Sequence, residues 1–122
     1  MSFHDFTKMH VWQLAFDLLL KVYNATRHFP PEEIFGMIAD IHRSANSITH
    51  NIAEGYGRFE PKDKTRFHKI SRESSYELIS QCLASYALHF IKDEKLNNEL
   101  IDTSKKIIEE LDSLIKSIEN NS

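Results

Sequence analysis

Seven histidines, one cysteine and the charged trio Arg43, Glu54 and Glu77 are the groups in this chain that could do chemistry. A metal site in a helical protein needs ligands at short helical spacing. His42 and His50 are eight apart and no Glu-x-x-His pair occurs, so the di-iron carboxylate pattern of helical bundles is missing. No zinc-type Cys/His spacing exists, Cys82 has no neighbouring histidine, and the serines lack a Gly-x-Ser-x-Gly elbow. Gly55-Tyr-Gly57 lacks the lysine and the preceding strand of a phosphate loop. The expectation is no metal, no cofactor and no catalytic residue, with Cys82 a small apolar side chain inside a helix. A lone cysteine can form no internal disulfide, which fits a reducing compartment.

Two sets of polar residues resist a simple packing account. At 100° per residue Gly36, Arg43, Ser47 and Glu54 fall on one line of a helix, with Asp40 and Asn51 beside it. Further along, Ser71, Ser74 and Gln81 interrupt a stripe expected to run through Phe67, Ile70 and Leu78, and Glu77 lies next to them. Arg43, Ser47, Asn51, Glu54, Ser74 and Glu77 therefore read either as a binding or catalytic pocket or as a buried, hydrogen-bonded lock. The lock is the favoured reading, because buried charges must be paired. The second set is basic: from Arg58 to Arg72 six basic residues face two acidic ones, a local net charge of +4. Arg58, Lys62, Arg66, Lys69 and Arg72 are its candidates for holding nucleic-acid phosphates, a contact that would weaken steeply with salt. From Asp93 to Glu119 eight acidic residues face four lysines, a net −4, so the alternative is a dipolar surface whose halves pair.

The elements that must carry these residues follow from composition and period. The chain has 122 residues, 41% of them apolar and 27% charged, with only 3 Gly and 3 Pro. Average usage would place Gly plus Pro near 12%, so sharp turns are few and an all-β fold is excluded. The net charge of −3 lacks the basic excess of a dedicated nucleic-acid binder. Residues Met1 to Phe6 carry no secretory signal pattern and no stretch approaches 18 uninterrupted apolar residues, which predicts a cytoplasmic protein with no membrane partner. Pro30-Pro31 followed by Glu32-Glu33 reads as a helix start, Gly55 or Gly57 as a stop and Pro61 as a restart. The polar run Lys92 to Asn98 supplies a third joint. Helices are predicted near 8–29, 31–55, 61–91 and 95–119, forming one domain over 1–122.

The period supports an all-α, antiparallel up-down four-helix bundle. The first helix is predicted to bury Trp12, Ala15, Phe16, Leu19, Val22 and Tyr23, the second Ile34, Ile38, Ile41, Ala45, Ile48 and Ile52, and the fourth Leu100, Ser104, Ile107, Leu111, Leu114 and Ile118. Between Leu78 and Ile91 the third helix is apolar around nearly its whole circumference. Such a helix needs cover on all sides, so Leu83, Tyr86 and Phe90 are predicted to meet another copy of the chain. The competing expectation is cover by an N-terminal arm carrying Phe3 and Phe6.

The stretch Arg43-Ser-Ala-Asn-Ser-Ile-Thr-His-Asn-Ile-Ala-Glu-Gly55 resembles the signature of 23S rRNA intervening-sequence proteins. Val11-Trp12-Gln13-Leu-Ala15, the run from Phe29-Pro30 to Glu33-Ile-Phe-Gly36, and Phe67 with Ile70, Ser74, Glu77 and Leu78 agree with it. The resemblance spans about residues 6–91. It implies a four-helix bundle assembled into a homopentamer with no established catalytic activity. It also implies kinship with the accessory variability determinant protein of diversity-generating retroelements, a basic bundle that engages reverse transcriptase and nucleic acid. Function is thus expected to be that of a homo-oligomeric interaction protein, the alternative being a scaffold for structured RNA or DNA.

Overall fold

The computed structural model describes residues 5–121. Its long elements are α1 (His10–Thr26), α2 (Met37–Gly57), α3 (Pro61–Ala87) and α4 (Glu94–Asn120), with short 3-10 turns at Phe6–Lys8 and Pro31–Glu33. No strand occurs among the described residues. Each helix packs on its neighbours in sequence and α1 closes the ring against α4, while the backbones of the diagonal pairs lie farther apart. The cross-contacts of α2 and α3 run in opposite directions along the two helices, from Ile48 with Ser71 to Arg43 with Glu77, as an up-down arrangement requires.

The joints differ from expectation in ways the backbone explains. Pro31 starts only a single turn, and α2 begins six residues later. There Glu33 Oε1 accepts the Met37 N–H at 3.1 Å, so the acidic residue caps the helix that it was expected to lie within. Gly36 sits against that carboxylate, since a Cβ there would lie 2.8 Å from Glu33 Oε1. At the far end α3 stops at Ala87 rather than 91, because His89 turns left-handed with φ 64°. Its N–H bonds to the Tyr86 carbonyl at 3.0 Å and the next N–H, of Phe90, reaches back to Ser85 at 2.8 Å. That pair of bonds closes the open carbonyls of the last turn. Asp93 then caps α4 by accepting the Leu96 N–H at 3.2 Å.

The core is built from Leu18, Val22, Ile41, Ile48, Ile52, Leu78, Leu100, Ile107 and Leu111, with Cys82 sealed among them. Cys82 is thus inside a helix as expected, and burial pushes its thiol up to about 12. The buried edge of α1 is rotated from the predicted face: Val11, Ala15, Leu18, Val22 and Ala25 point inward, whereas Phe16 and Tyr23 are each 41% exposed. Phe16 instead stacks on Trp12 at 4.8 Å between ring centroids, and Phe6 meets Trp12 edge-on at 5.2 Å. Aromatic bulk on the flank of α1 imitated a core stripe. Ile34 was expected to open the α2 stripe but lies before the helix and is exposed. Of the arm expected to cover α3, Phe6 packs on α1, and Phe3 lies outside the described residues. Among the described residues no helix is long and apolar enough to cross a membrane.

The rotation of α1 makes a direct prediction. Leu18→Ala should lower unfolding free energy by about 2–5 kcal/mol, the usual cost of emptying a buried leucine site. Phe16→Ala should cost about 1 kcal/mol, the worth of one aromatic contact. Urea denaturation of the two variants measures the difference.

Candidate functional site

The seam between α2 and α3 carries most of the polar residues singled out by sequence. Ser47 Oγ and Ser74 Oγ are 2.7 Å apart, and Asn51 Nδ2 donates to both the Ser47 carbonyl (2.8 Å) and its hydroxyl (3.1 Å). Ser71 donates across the seam to the carbonyl of Ile48 at 2.7 Å, and Ser75 donates to the Ser71 carbonyl at 2.9 Å. Ser71, Ser74 and Ser75 are buried because they lie on the inward side of α3 with Thr65, His68, Leu78, Cys82 and Ser85, while Ser47 of α2 is half-buried. Phe67 and Ile70, expected on that line, are only half-buried.

The charged members do not join a buried lock. Arg43 and Glu77 pair at 3.1 Å, but on the surface, with side chains 57% and 48% exposed. Glu54 pairs instead with Arg58, one turn along its own helix, at 3.4 Å and without hydrogen-bond geometry. Desolvation would have been costly for three charges inside the bundle, and the helices avoid it by turning the long side chains to water. Among the described residues Arg43 and Glu77 pair with each other and Glu54 with Arg58, so the ion pairs do not join the three.

The basic face of α3 is met mainly by carboxylates. Arg72 pairs with Asp112 of α4, Lys69 with Glu119 of α4 at 2.9 Å, and Arg66 with Asp63 at 3.7 Å. Arg58 and Arg66 flank the ring of Phe67, at 4.6 and 4.4 Å from its centroid. Of the five candidates, Lys62 is the one that makes no ion pair among the described residues. The candidate interface residues of α3 divide: Leu83 is 58% and Tyr86 38% exposed, whereas Phe90 turns in and packs on Phe29 at 5.6 Å.

Two arrangements escaped the sequence reading. His68 is 1% exposed, and its ring lies so close to Gly55 that a Cβ there would stand 2.8 Å from Cε1. Gly55 is therefore a notch for an imidazole as well as a residue of the last turn of α2. Burial, with the Lys64 charge adding to it, pushes His68 down to about 4. The signal was available, since His68 sits three residues from both Thr65 and Ser71 on the inward line. The second arrangement joins α1 to α2: His42 stacks on Tyr23 at 3.8 Å, and Asn46 donates to Tyr23 Oη at 2.8 Å. Thr26 Oγ1 donates to the Tyr23 carbonyl, so the 2.8 Å contact with His42 Nε2 must be made by a proton on that nitrogen. Desolvation lowers the pKa of His42 and favours its neutral form. Nothing in residue spacing announces this cross-helix set. Among the described residues no group of three His, Cys, Asp or Glu is placed to hold a metal.

Comparison with known proteins bears on what this bundle is. The family model described as 23S rRNA-intervening sequence protein matches residues 7–117. A solved structure from Bacteroides thetaiotaomicron, a protein with unknown function from the S23 ribosomal protein family, superposes with a TM-score of 0.79 at 21% identity. The match covers 87% of this chain and 98% of that one, and at this identity it speaks for the fold. No curated protein matches the sequence.

Two outcomes follow. A double-mutant cycle on Arg43→Ala and Glu77→Ala should give a coupling of about 1 kcal/mol or less, as for other exposed pairs. His68 titrates near 6.5 when unfolded and near 4 when folded, so the unfolded chain binds more protons between those values. Stability should be full above about pH 6.5 and fall on acidification towards pH 4, by at most about 3 kcal/mol. Denaturation midpoints across that window should fall less steeply in His68→Phe.

Proposed function

This chain belongs to the 23S rRNA-intervening sequence protein family, and on that premise we propose that it is a non-enzymatic, cytoplasmic protein that works by assembling with copies of itself. The homopentamer implied by the sequence resemblance is the assembly this reading favours. The observation that carries it is the apolar surface left at one end of the bundle. Leu83, Tyr86 and Leu88 of α3 and its C-terminal turn are exposed, and so are Ile34 and Phe35 just before α2. Antiparallel packing brings the start of α2 and the end of α3 to the same end. Large exposed apolar groups gathered in one region favour a protein interface.

The same geometry argues against the competing classes. Catalysis by Arg43, Glu54 and Glu77 would need them to converge, and Glu54 is paired elsewhere. Phosphate binding through α3 would have to compete with carboxylates for Arg58, Arg66, Lys69 and Arg72. Exposed pairs are worth about 1 kcal/mol or less each, so nucleic acid remains the second reading, with Lys62 its least encumbered contact.

Multi-angle light scattering at micromolar concentration should report a species several times the monomer mass. Leu83→Glu combined with Tyr86→Glu should shift it to the monomer while helical circular dichroism is retained. A wild-type monomer across the concentration range would overturn the proposal.

A further inference from the structure

Two rows of side chains run along α1 at alternating spacings of three and four. Val11, Ala15, Leu18, Val22 and Ala25 form the buried row. Gln13, Phe16, Leu20, Tyr23 and Arg27 form the other, which at 100° per residue points almost directly away from the core. All five are exposed, Leu20 to 55%. A three-four row with an apolar middle is the seam by which one helix packs along another. Its aromatic members are already held in place, Phe16 by the stack on Trp12 and Tyr23 by His42 and the Asn46 amide. Side chains fixed in advance lose little freedom on docking.

The order of residues in this outer row says what fits it. It reads nearly the same in both directions: polar, aromatic, leucine, aromatic, polar. Turned end for end about Leu20 and laid on a copy of itself, it brings Leu20 to Leu20, Phe16 beside Tyr23 and Gln13 opposite Arg27. The polar pair is chemically matched. Gln13 Nε2 donates to the Thr7 carbonyl at 2.9 Å, which leaves the side-chain oxygen to accept, and Arg27 is exposed, makes no ion pair among the described residues and can only donate. Beside the row, exposed Asp17 falls opposite exposed Asn24. Asp17 Oδ2 is held by Lys21 at 3.0 Å, so Oδ1 is left to accept from the Asn24 amide. Parallel alignment would instead set Arg27 against Arg27 and Asp17 against Asp17. Charge therefore selects the antiparallel copy.

We infer that the outer row of α1 pairs with the same row of a second copy, antiparallel, about a two-fold axis at Leu20. Each unlike contact then occurs twice, as an isologous interface requires. This goes beyond the assembly proposed above and uses another surface, because α1 packs on α2 and α4, and α3 with Leu83 and Tyr86 lies across the bundle from it. The row from Gln13 to Arg27 is roughly 21 Å long at the helical rise, and one helix pair of that length buries less than a standard interface. By itself it joins two chains at sub-millimolar rather than micromolar concentration.

The full-length chain carrying Leu83→Glu and Tyr86→Glu separates the two contacts, since it loses the apolar end and keeps α1. Sedimentation equilibrium should find it monomeric at micromolar and dimeric at sub-millimolar concentration. Adding Leu20→Glu, at a site that faces water, should leave circular dichroism unchanged and weaken the dimer at least ten-fold. Disulfide cross-linking at the higher concentration, in chains otherwise wild-type, reads the orientation, and buried Cys82 does not interfere. Leu20→Cys chains should cross-link among themselves on mild oxidation. Gln13→Cys and Arg27→Cys chains should cross-link when mixed, and neither should do so alone. A monomer at sub-millimolar concentration, a dimer indifferent to Leu20→Glu, or Gln13→Cys chains that cross-link among themselves would each overturn the inference. A wild type that is monomeric at micromolar concentration would overturn only the assembly through the bundle end, and the wild type would then show the α1 dimer on concentration.

Discussion

Ser71 places a hydroxyl 2.7 Å from the backbone carbonyl of Ile48 on the neighbouring helix, and a side chain of two heavy atoms can do this only where the helices run very close. Much of the bundle depends on that approach. Ser47 and Ser74 meet oxygen to oxygen, Gly55 gives up its side chain to the His68 ring, and each of these contacts fixes the same axial register. A leucine at any of these positions would force the helices apart and strand the hydroxyls opposite it. Thr49 extends the principle to the other side of α2, its one O–H shared between the Ala15 carbonyl of α1 at 3.2 Å and the Ala45 carbonyl of its own helix at 3.1 Å. Thus α2 is tied to both neighbours through its backbone-facing polar groups, while Ile41, Ile48 and Ile52 fill the centre. The seam also carries a cost, since Ser44 and Ser85 are buried with hydroxyls that find no partner among the described residues.

Electrostatics acts at the periphery of this frame. The basic run of α3 and the acidic run of α4 lie on adjacent helices, and the pairs Arg72 with Asp112 and Lys69 with Glu119 stitch their exposed edges. Lys21 with Glu99 and His10 with Glu110 do the same between α1 and α4. Among the described residues the seam between α2 and α3 has a single such pair, Arg43 with Glu77. Where hydroxyls already set the register, long-range charge pairing has less to decide. The charges therefore select which surfaces adjoin, and the small residues set how closely.

How much of this could be read from sequence depended on what each residue signals by itself. Helical periodicity and the positions of Gly57 and Pro61 located the four helices, because backbone punctuation is local. The polar line through Ser47, Asn51 and Ser74 was legible for the same reason: small hydroxyl residues stood where period alone called for leucine. What failed was any inference needing to know whether a long side chain bends inward or outward. Arg43 and Glu77 lie at the right register for a lock, yet their length carries the charges to water. Phe16 and Tyr23 have the right period for the core, yet each found an aromatic partner on the flank, Trp12 and His42. Three-dimensional neighbours decide such cases, and a single sequence does not list them.

The exposed apolar groups complete the account. Leu83, Tyr86, Leu88, Ile34 and Phe35 are absent from the tight seam and gather where the helices end, at the α1–α2 and α3–α4 connections. The seams along the middle of the bundle are packed by hydroxyls and isoleucines, while Phe16, Leu20, Tyr23 and Tyr76 stay exposed on the outer faces of its helices. Its ends are different, because each connection must leave the helix axis and carries its side chains outward. Glu33 and the left-handed turn at His89 stiffen these two exits, so the outward residues are presented by a rigid frame rather than by free loops. A bundle locked this firmly through its centre keeps its exposed apolar groups at its ends and on its outer faces, where the backbone that carries them is already fixed.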